Sequence, residues 1–140
     1  MSAFNKISNT LSSRSVQAIN RWSGDSRFVV DLLVQADHIT IQLDGAYLQF
    51  APHGEGLEIT QLYVIPGYRG QGLGTMLIGI FFELIDSILG SLPQITVRLE
   101  CKDQYAAERQ VSFYQRFDFA VVIDNPTFKL LTLDPNPLNF

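Results

Sequence analysis

Only one cysteine, Cys101, occurs in the 140 residues, so no disulfide can close within the chain, and a reducing, cytoplasmic setting is the expectation. Histidine is almost as scarce. His38 and His53 have no companions at metal-ligand spacing, and no metal is expected. Positive charge is also short, with 10 Lys and Arg against 14 Asp and Glu and a formal net charge of −4. Such a surface lacks the basic stripe that a phosphate backbone needs, which argues against nucleic acid as the main partner. The longest apolar run, Leu73 to Leu89, is broken by Thr75, Glu83, Asp86 and Ser87, whereas a membrane span needs roughly 20 nearly uninterrupted apolar residues. Residues 1–15 hold no apolar stretch of the kind a signal peptide uses, so no membrane partner is expected. Repeats, low-complexity tracts and blocks of like charge are missing too; residues 1–140 read as one domain, with only the Ser/Asn-rich first dozen loosely tied.

What is present is a core and an ordered run of elements. At 46% hydrophobic content the chain can bury a core without staples. Val16, Ala18, Ile19 and Trp22 recur at helical spacing and predict a short helix over 13–22; residues 26–36 suit a helix or a buried strand, with helix favoured. Ile39 to Leu43 and Ala46 to Phe50 flank Asp44-Gly45, a dipeptide that tolerates the positive φ of a hairpin turn. Leu57 to Ile65 predicts a strand stopped by Pro66, and Leu73 to Gly90 a long helix with Gly90 closing it. A strand at Ile95 to Cys101 and a helix at Tyr105 to Arg116 follow. Strands at Phe119 to Ile123 and Phe128 to Leu133 then surround an Asp124-Asn125-Pro126 turn. This order fits a mixed α/β sheet with helices on its faces.

The segment Tyr63 to Gly74 places Gly67, Gly70, Gly72 and Gly74 between a strand and the start of the long helix. Glycines there let backbone N–H groups converge on an anion that faces the positive end of the helix dipole, so a phosphate or pyrophosphate site is predicted; the alternative is a tight turn without a ligand. A P-loop would need Gly-Lys-Ser/Thr, and no lysine is present in the segment. A dinucleotide fingerprint would need its third glycine one position later and an acidic residue closing a second strand.

Val64, Pro66, Arg69, Gly72 and Gly74 match the pattern Val-x-Pro followed by Arg/Gln-x-x-Gly-x-Gly/Ala, and in this the chain resembles the GNAT superfamily of acyl-CoA-dependent N-acyltransferases. The order of elements from Ile39 onward is similar as well. Leu99-Glu100-Cys101 and Phe113-Tyr114 to Phe119 resemble the family's second conserved region, with Ala107 in place of a frequent asparagine, Gln110 of alanine and Asp118 of glycine. Aspartate takes a left-handed turn at modest cost. The resemblance implies a GNAT-like fold: a mixed, mostly antiparallel sheet with helices on both faces. It also implies cofactor-binding residues Tyr63, Val64, Arg69, Gly70, Gln71, Gly72, Leu73, Gly74 and Thr75, with the pantetheine arm of coenzyme A entering between parted strands.

The resemblance further implies an enzyme that moves an acetyl or other short acyl group from acetyl-CoA, or another acyl-CoA, to a primary amine by direct attack. The other reading is a non-catalytic acyl-CoA-binding module of the same fold. A homodimer is an expectation from the family alone. Glu58 matches a position where family members carry a general base, beside its reading as a salt-bridged strand residue; Tyr114 matches a proton donor to the thiolate, beside its reading as a half-buried helix aromatic. Glu100 is expected to orient loops and Cys101 to fill core. Trp22, Tyr47, Phe50 and Tyr63 could line an acceptor pocket but are more simply core.

Overall fold

The computed structural model describes residues 2–12, 30–101 and 103–135. Their elements, in chain order, are helix α1 (Ala3–Ser12), strands β1 (Asp31–Val34), β2 (Ile39–Leu43), β3 (Ala46–His53) and β4 (Gly56–Val64), helix α2 (Leu73–Leu89), β5 (Ile95–Glu100), helix α3 (Gln104–Gln115), β6 (Ala120–Asp124) and β7 (Phe128–Leu133). The strands form one sheet in the order β1-β2-β3-β4-β5-β7-β6. Every neighbouring pair is antiparallel except β4 with β5, which the α2 crossover joins in parallel. The expected mixed, mostly antiparallel α/β sheet is therefore observed.

Two expectations are corrected. The first dozen residues are not loosely tied: α1 buries Phe4 and Ile7, the latter fully, against the α2 side of the sheet, and the Phe4 ring meets Phe50 edge-on at 6.3 Å. The Ser/Asn content that suggested a loose end forms the outer face of an amphipathic helix, whose inner face supplies the anchors. The helix favoured over 26–36 is, in its described part, strand β1, paired antiparallel from Asp31↔Gln42 to Val34↔Ile39. Its β-branched and leucine content suits either state, and the open edge of β2 decides for the ladder. The helix expected over 13–22, with Trp22, lies outside the described residues.

α2 is the spine. Leu73, Leu77, Ile80, Phe81 and Leu84 recur on one face and are buried, and the Phe81 ring packs edge-on against Phe50 at 5.0 Å. Gly90 ends the helix at φ 81°, its N–H donating to the Asp86 carbonyl at 2.7 Å, as its position predicts. At the start of α3 the Asp103 carboxylate accepts from the N–H groups of Tyr105 and Ala106, and after its end Asp118 takes the left-handed turn at φ 72°. Asn125 Oδ1 accepts from Thr127 and Phe128 N–H and shapes the predicted β6–β7 turn.

The hairpin turn at Gly45 also fixes the loop after β4. Ile65 N–H donates to the Gly45 carbonyl at 2.8 Å, and Gly45 sits at φ 85° with the Tyr68 ring where a Cβ would lie. Any side chain at residue 45 would displace that ring.

Because Phe4 is enclosed on all sides, Phe4→Ala is expected to cost about 3–5 kcal/mol of unfolding free energy. Urea denaturation measures this. A loss under about 0.5 kcal/mol, the range of surface substitutions, would show that α1 is dispensable to the fold.

Candidate functional site

β4 and β5 pair only through Leu57↔Ile95, Glu58↔Thr96 and Ile59↔Val97, after which the two strands separate. A bulge accompanies the parting: Phe50 faces Ile59 while Gln49 faces Gln61, which leaves Thr60 as the extra residue, its hydroxyl donating to the Gln49 carbonyl at 3.2 Å. Bulges bend the strand that carries them, and this one turns β4 away from β5. The space between is a cleft of about 350 Å³, with Gln61 and Tyr63 on one wall, Arg98 and Glu100 on the other, and Gln110 and Tyr114 of α3 beside them. Ile65 N–H points to Gly45, so strand alternation turns the N–H groups of Leu62 and Val64 toward the cleft, where no strand pairs with them. The Val64 carbonyl accepts from Arg69 Nε at 3.0 Å.

Tyr114 is only 5% exposed, packed edge-on against Phe113 at 5.2 Å and Phe119 at 5.4 Å, yet it lines the cleft. Its hydroxyl makes no hydrogen bond among the described residues, and burial pushes the phenol well above its ordinary value, so it stays protonated as a donor. Glu58 lies one residue before the parting, is 3.3 Å from His53 Nδ1 and does not line the cleft. The carboxylate that does is Glu100, 3.2 Å from Arg98 Nε. Tyr47 lines the cleft through its hydroxyl, which donates to Gln61 Oε1 at 2.8 Å, and through its ring, 5.9 Å from that of Tyr63; Phe50 is core.

Beyond Tyr63 the chain makes a 3-10 turn at Pro66–Tyr68 and reaches α2 through Gly70 at φ 83° and Gly72 at φ 77°. The first α2 hydrogen bond runs from Met76 N–H to the Gly72 carbonyl, which leaves the N–H groups of Leu73, Gly74 and Thr75 without helical acceptors. They face a cavity of about 260 Å³ bounded also by Val64, Arg69, Gly70 and Gly72, and on the α3 side by Phe113 and Arg116. A Cβ on Gly74 would touch the Phe113 ring at 3.4 Å, so helix and ring are in contact. The sequence-predicted residues from Val64 to Thr75 therefore meet here, apart from Gln71, which does not line the cavity; Tyr63 borders the adjoining cleft. Phe113, Arg116 and Gln110 were not among the predicted site residues: they lie in the segment that resembles the family's second conserved region, but no strand or loop pattern shows that this helix reaches the glycine loop and the cleft. Aligned N–H groups at a helix start, with two guanidiniums beside them, are chemically suited to an anion. No group of His, Cys, Asp and Glu among the described residues could hold a metal ion.

The family model of the acetyltransferase (GNAT) domain matches residues 27–121, more than half of the chain. No curated protein matches by sequence. Among solved structures, a GNAT-family protein from Desulfovibrio desulfuricans is similar at a TM-score of 0.54 and 16% identity over 69% of this chain and 68% of the other. The ribosomal-protein alanine N-acetyltransferase of Escherichia coli is similar at 0.53 and 12% over 91% and 82%. The spermidine/spermine N-acetyltransferase of Vibrio cholerae is similar at 0.52 and 15% over 69% and 64%. At these identities the structures show a shared fold.

A buried hydroxyl without a partner costs free energy, so Tyr114→Phe is expected to keep or raise the melting temperature. The sign of the pH effect follows from the raised phenol pKa. Below about pH 10 the unfolded and folded chains both hold the proton; above it the unfolded chain releases the proton first, and stability falls. Urea unfolding at about pH 9 and about pH 11 should therefore show a smaller alkaline loss in Tyr114→Phe than in the wild type. Equal losses would place the phenol in contact with solvent.

Proposed function

Because the chain belongs to the GNAT acetyltransferase family, we propose that it transfers an acetyl or other short acyl group from acyl-CoA to a primary amine by direct attack, without a covalent enzyme intermediate. The observation that carries this reading is the continuity of an anion cradle at the α2 start with an open β4 edge and a buried, unpartnered phenol. In the proposal the pyrophosphate lies on the N–H groups of Leu73, Gly74 and Thr75 with Arg69 and Arg116 beside it. The amide-bearing pantetheine arm follows the β4 edge as an added strand would, using the free N–H groups of Leu62 and Val64.

The thioester carbonyl then develops negative charge near the Val64 N–H, and the Tyr114 hydroxyl supplies the proton that the leaving thiolate takes up. The amine must lose a proton as it attacks. Glu100 borders the cleft and Glu58 does not, so the proposal gives that proton to Glu100 and leaves Glu58 paired with His53. A chain of net charge −4 favours a cationic acceptor by steering. A cytoplasmic setting belongs to the same proposal and rests on the single Cys101.

Acetyl-CoA and coenzyme A are expected to raise the melting temperature by mass action. Gly72→Asp should abolish that rise while leaving the apo protein folded: aspartate tolerates a left-handed φ, a Cβ at Gly72 meets nothing within 4 Å, and the carboxylate would repel the pyrophosphate. An unchanged rise would remove the cradle from the proposal.

Coenzyme A release across an amine panel tests the chemistry, and binding without release would leave an acyl-CoA-binding module. Tyr114→Phe is expected to lower kcat about a hundredfold, the low end for general acid help, because a thiolate with a conjugate-acid pKa of roughly 8.5 can depart unprotonated. Glu100→Gln should lower the rate most at low pH, where the acceptor is chiefly ammonium, and Glu58→Gln should not. The reverse ranking would restore Glu58 as the base.

A further inference from the structure

The β4–β5 cleft is lined from both faces of the sheet. Along β5, Ile95, Val97 and Leu99 are buried in one core cluster with the α2 side chains and Tyr114, so strand alternation turns Arg98 and Glu100 to the opposite face. Tyr47 and Tyr63, paired across β3 and β4, line the cleft as well. Among the described lining residues Arg98 is the one cation and Glu100 the one anion. Arg98 Nε lies 3.2 Å from Glu100 Oε1, and the guanidinium carbon lies 3.8 Å from the ring centre of Phe128, which stands opposite Glu100 on β7. Stacking on the ring holds the guanidinium in place. Only Nε is engaged: Nη1 and Nη2 make no hydrogen bond among the described residues. Both side chains of the pair are about half exposed, where an ion pair contributes little to stability, so the fold itself draws little from this arrangement.

We infer that the acceptor is an α-amino acid, its carboxylate held by Nη1 and Nη2 of Arg98 and its amino group by Glu100. The inference rests on the function proposed above and names the acceptor of that same cleft. A guanidinium stacked on a ring, with its terminal fork open, matches a carboxylate through two parallel hydrogen bonds. Because the heads of Arg98 and Glu100 meet, a ligand that engages both must carry its anion and its amine close together, as an α-amino acid does on a single carbon. A polyamine has no anion and would bring a second positive charge against Arg98. A peptide N-terminus presents an uncharged amide where the carboxylate would be. Within the class, the net charge of −4 steers toward an amino acid with a basic side chain.

The test is the steady-state rate of coenzyme A release from acetyl-CoA with α-amino acids, basic ones included, beside their carboxamides, which keep side chain and amine but lose the negative charge. The wild type is expected to favour the acids about ten- to a hundredfold in kcat/KM, the yield of a bidentate charge-assisted contact. The amides carry the less basic amine and hold more of it unprotonated, a bias that works against this result. Arg98→Ala should bring the ratio to within about twofold by raising KM for the acids, and Arg98→Lys should restore part of it. Arg98 is exposed, and an unliganded melting curve checks that both variants fold. A wild type that treats acids and amides alike or prefers the amides would overturn this inference alone. So would a ratio that survives Arg98→Ala, since equal losses on both series would make Arg98 a positioning residue for Glu100. Absence of coenzyme A release with every amine would overturn the proposed function and this inference together.

Discussion

The site depends on one constraint: β4 cannot stay paired with β5 beyond Ile59↔Val97. The extra residue Thr60 bends β4, and downstream the Gly45–Ile65 hydrogen bond and the Tyr68 ring over Gly45 tie the end of that strand to the β2–β3 turn. β4 is thereby held from both ends in a path that β5 does not follow. An interior strand edge left open in this way exposes N–H groups at Leu62 and Val64 that a continuous sheet would have used. A peptide-like ligand arm can satisfy such groups as an added strand would, which is the place the proposed function gives the pantetheine arm.

The short run from Phe113 to Arg116 connects the parts of the site. Phe113 lies against the start of α2 beside Gly74 and borders the cavity there; Tyr114, its neighbour, turns the other way and lines the cleft. The phenol is held by Phe113 and Phe119, and among the described residues no hydrogen bond engages its hydroxyl, so packing sets its orientation. Arg116, its guanidinium 5.2 Å from the Phe113 ring centre, adds positive charge where the α2 dipole already favours an anion.

Where local chemistry determines structure, the sequence was legible. The Asp44-Gly45 hairpin, the β4 stop before Pro66, the α2 span with its Gly90 cap and the β7 strand at Phe128–Leu133 stand where turn residues and periodicity put them. That the glycine loop and the α2 start lie together around one cavity was legible for the same reason, since they form one contiguous segment. Two features were not. β1 depends on a partner strand that periodicity does not reveal, and which of the carboxylates Glu58 and Glu100 borders the cleft depends on where β4 and β5 part. Glu58 precedes the bulge and sits in the paired part of β4, whereas Glu100 ends β5 beyond the last parallel pair. A bulge leaves no reliable mark in the sequence, so nothing in a strand pattern tells on which side of the parting a carboxylate falls.

The same reasoning bears on the departures from the family pattern. Ala107 stands where an asparagine often contacts the cofactor, which in sequence reads as a lost contact. In the fold Ala107 is 1% exposed on the packed side of α3, where an asparagine would bring a polar amide into a space the helix closes with a methyl group. Gln110, three residues on and so nearly one turn further along the same helix, lines the cleft and carries the same amide on a longer arm. The cleft-facing amide of α3 is thus carried at residue 110, beside Tyr114 in the lining. Asp118 belongs with them, since it accepts the left-handed turn that brings Phe119 back against Tyr114, with Phe119 N–H on the Tyr114 carbonyl at 3.4 Å.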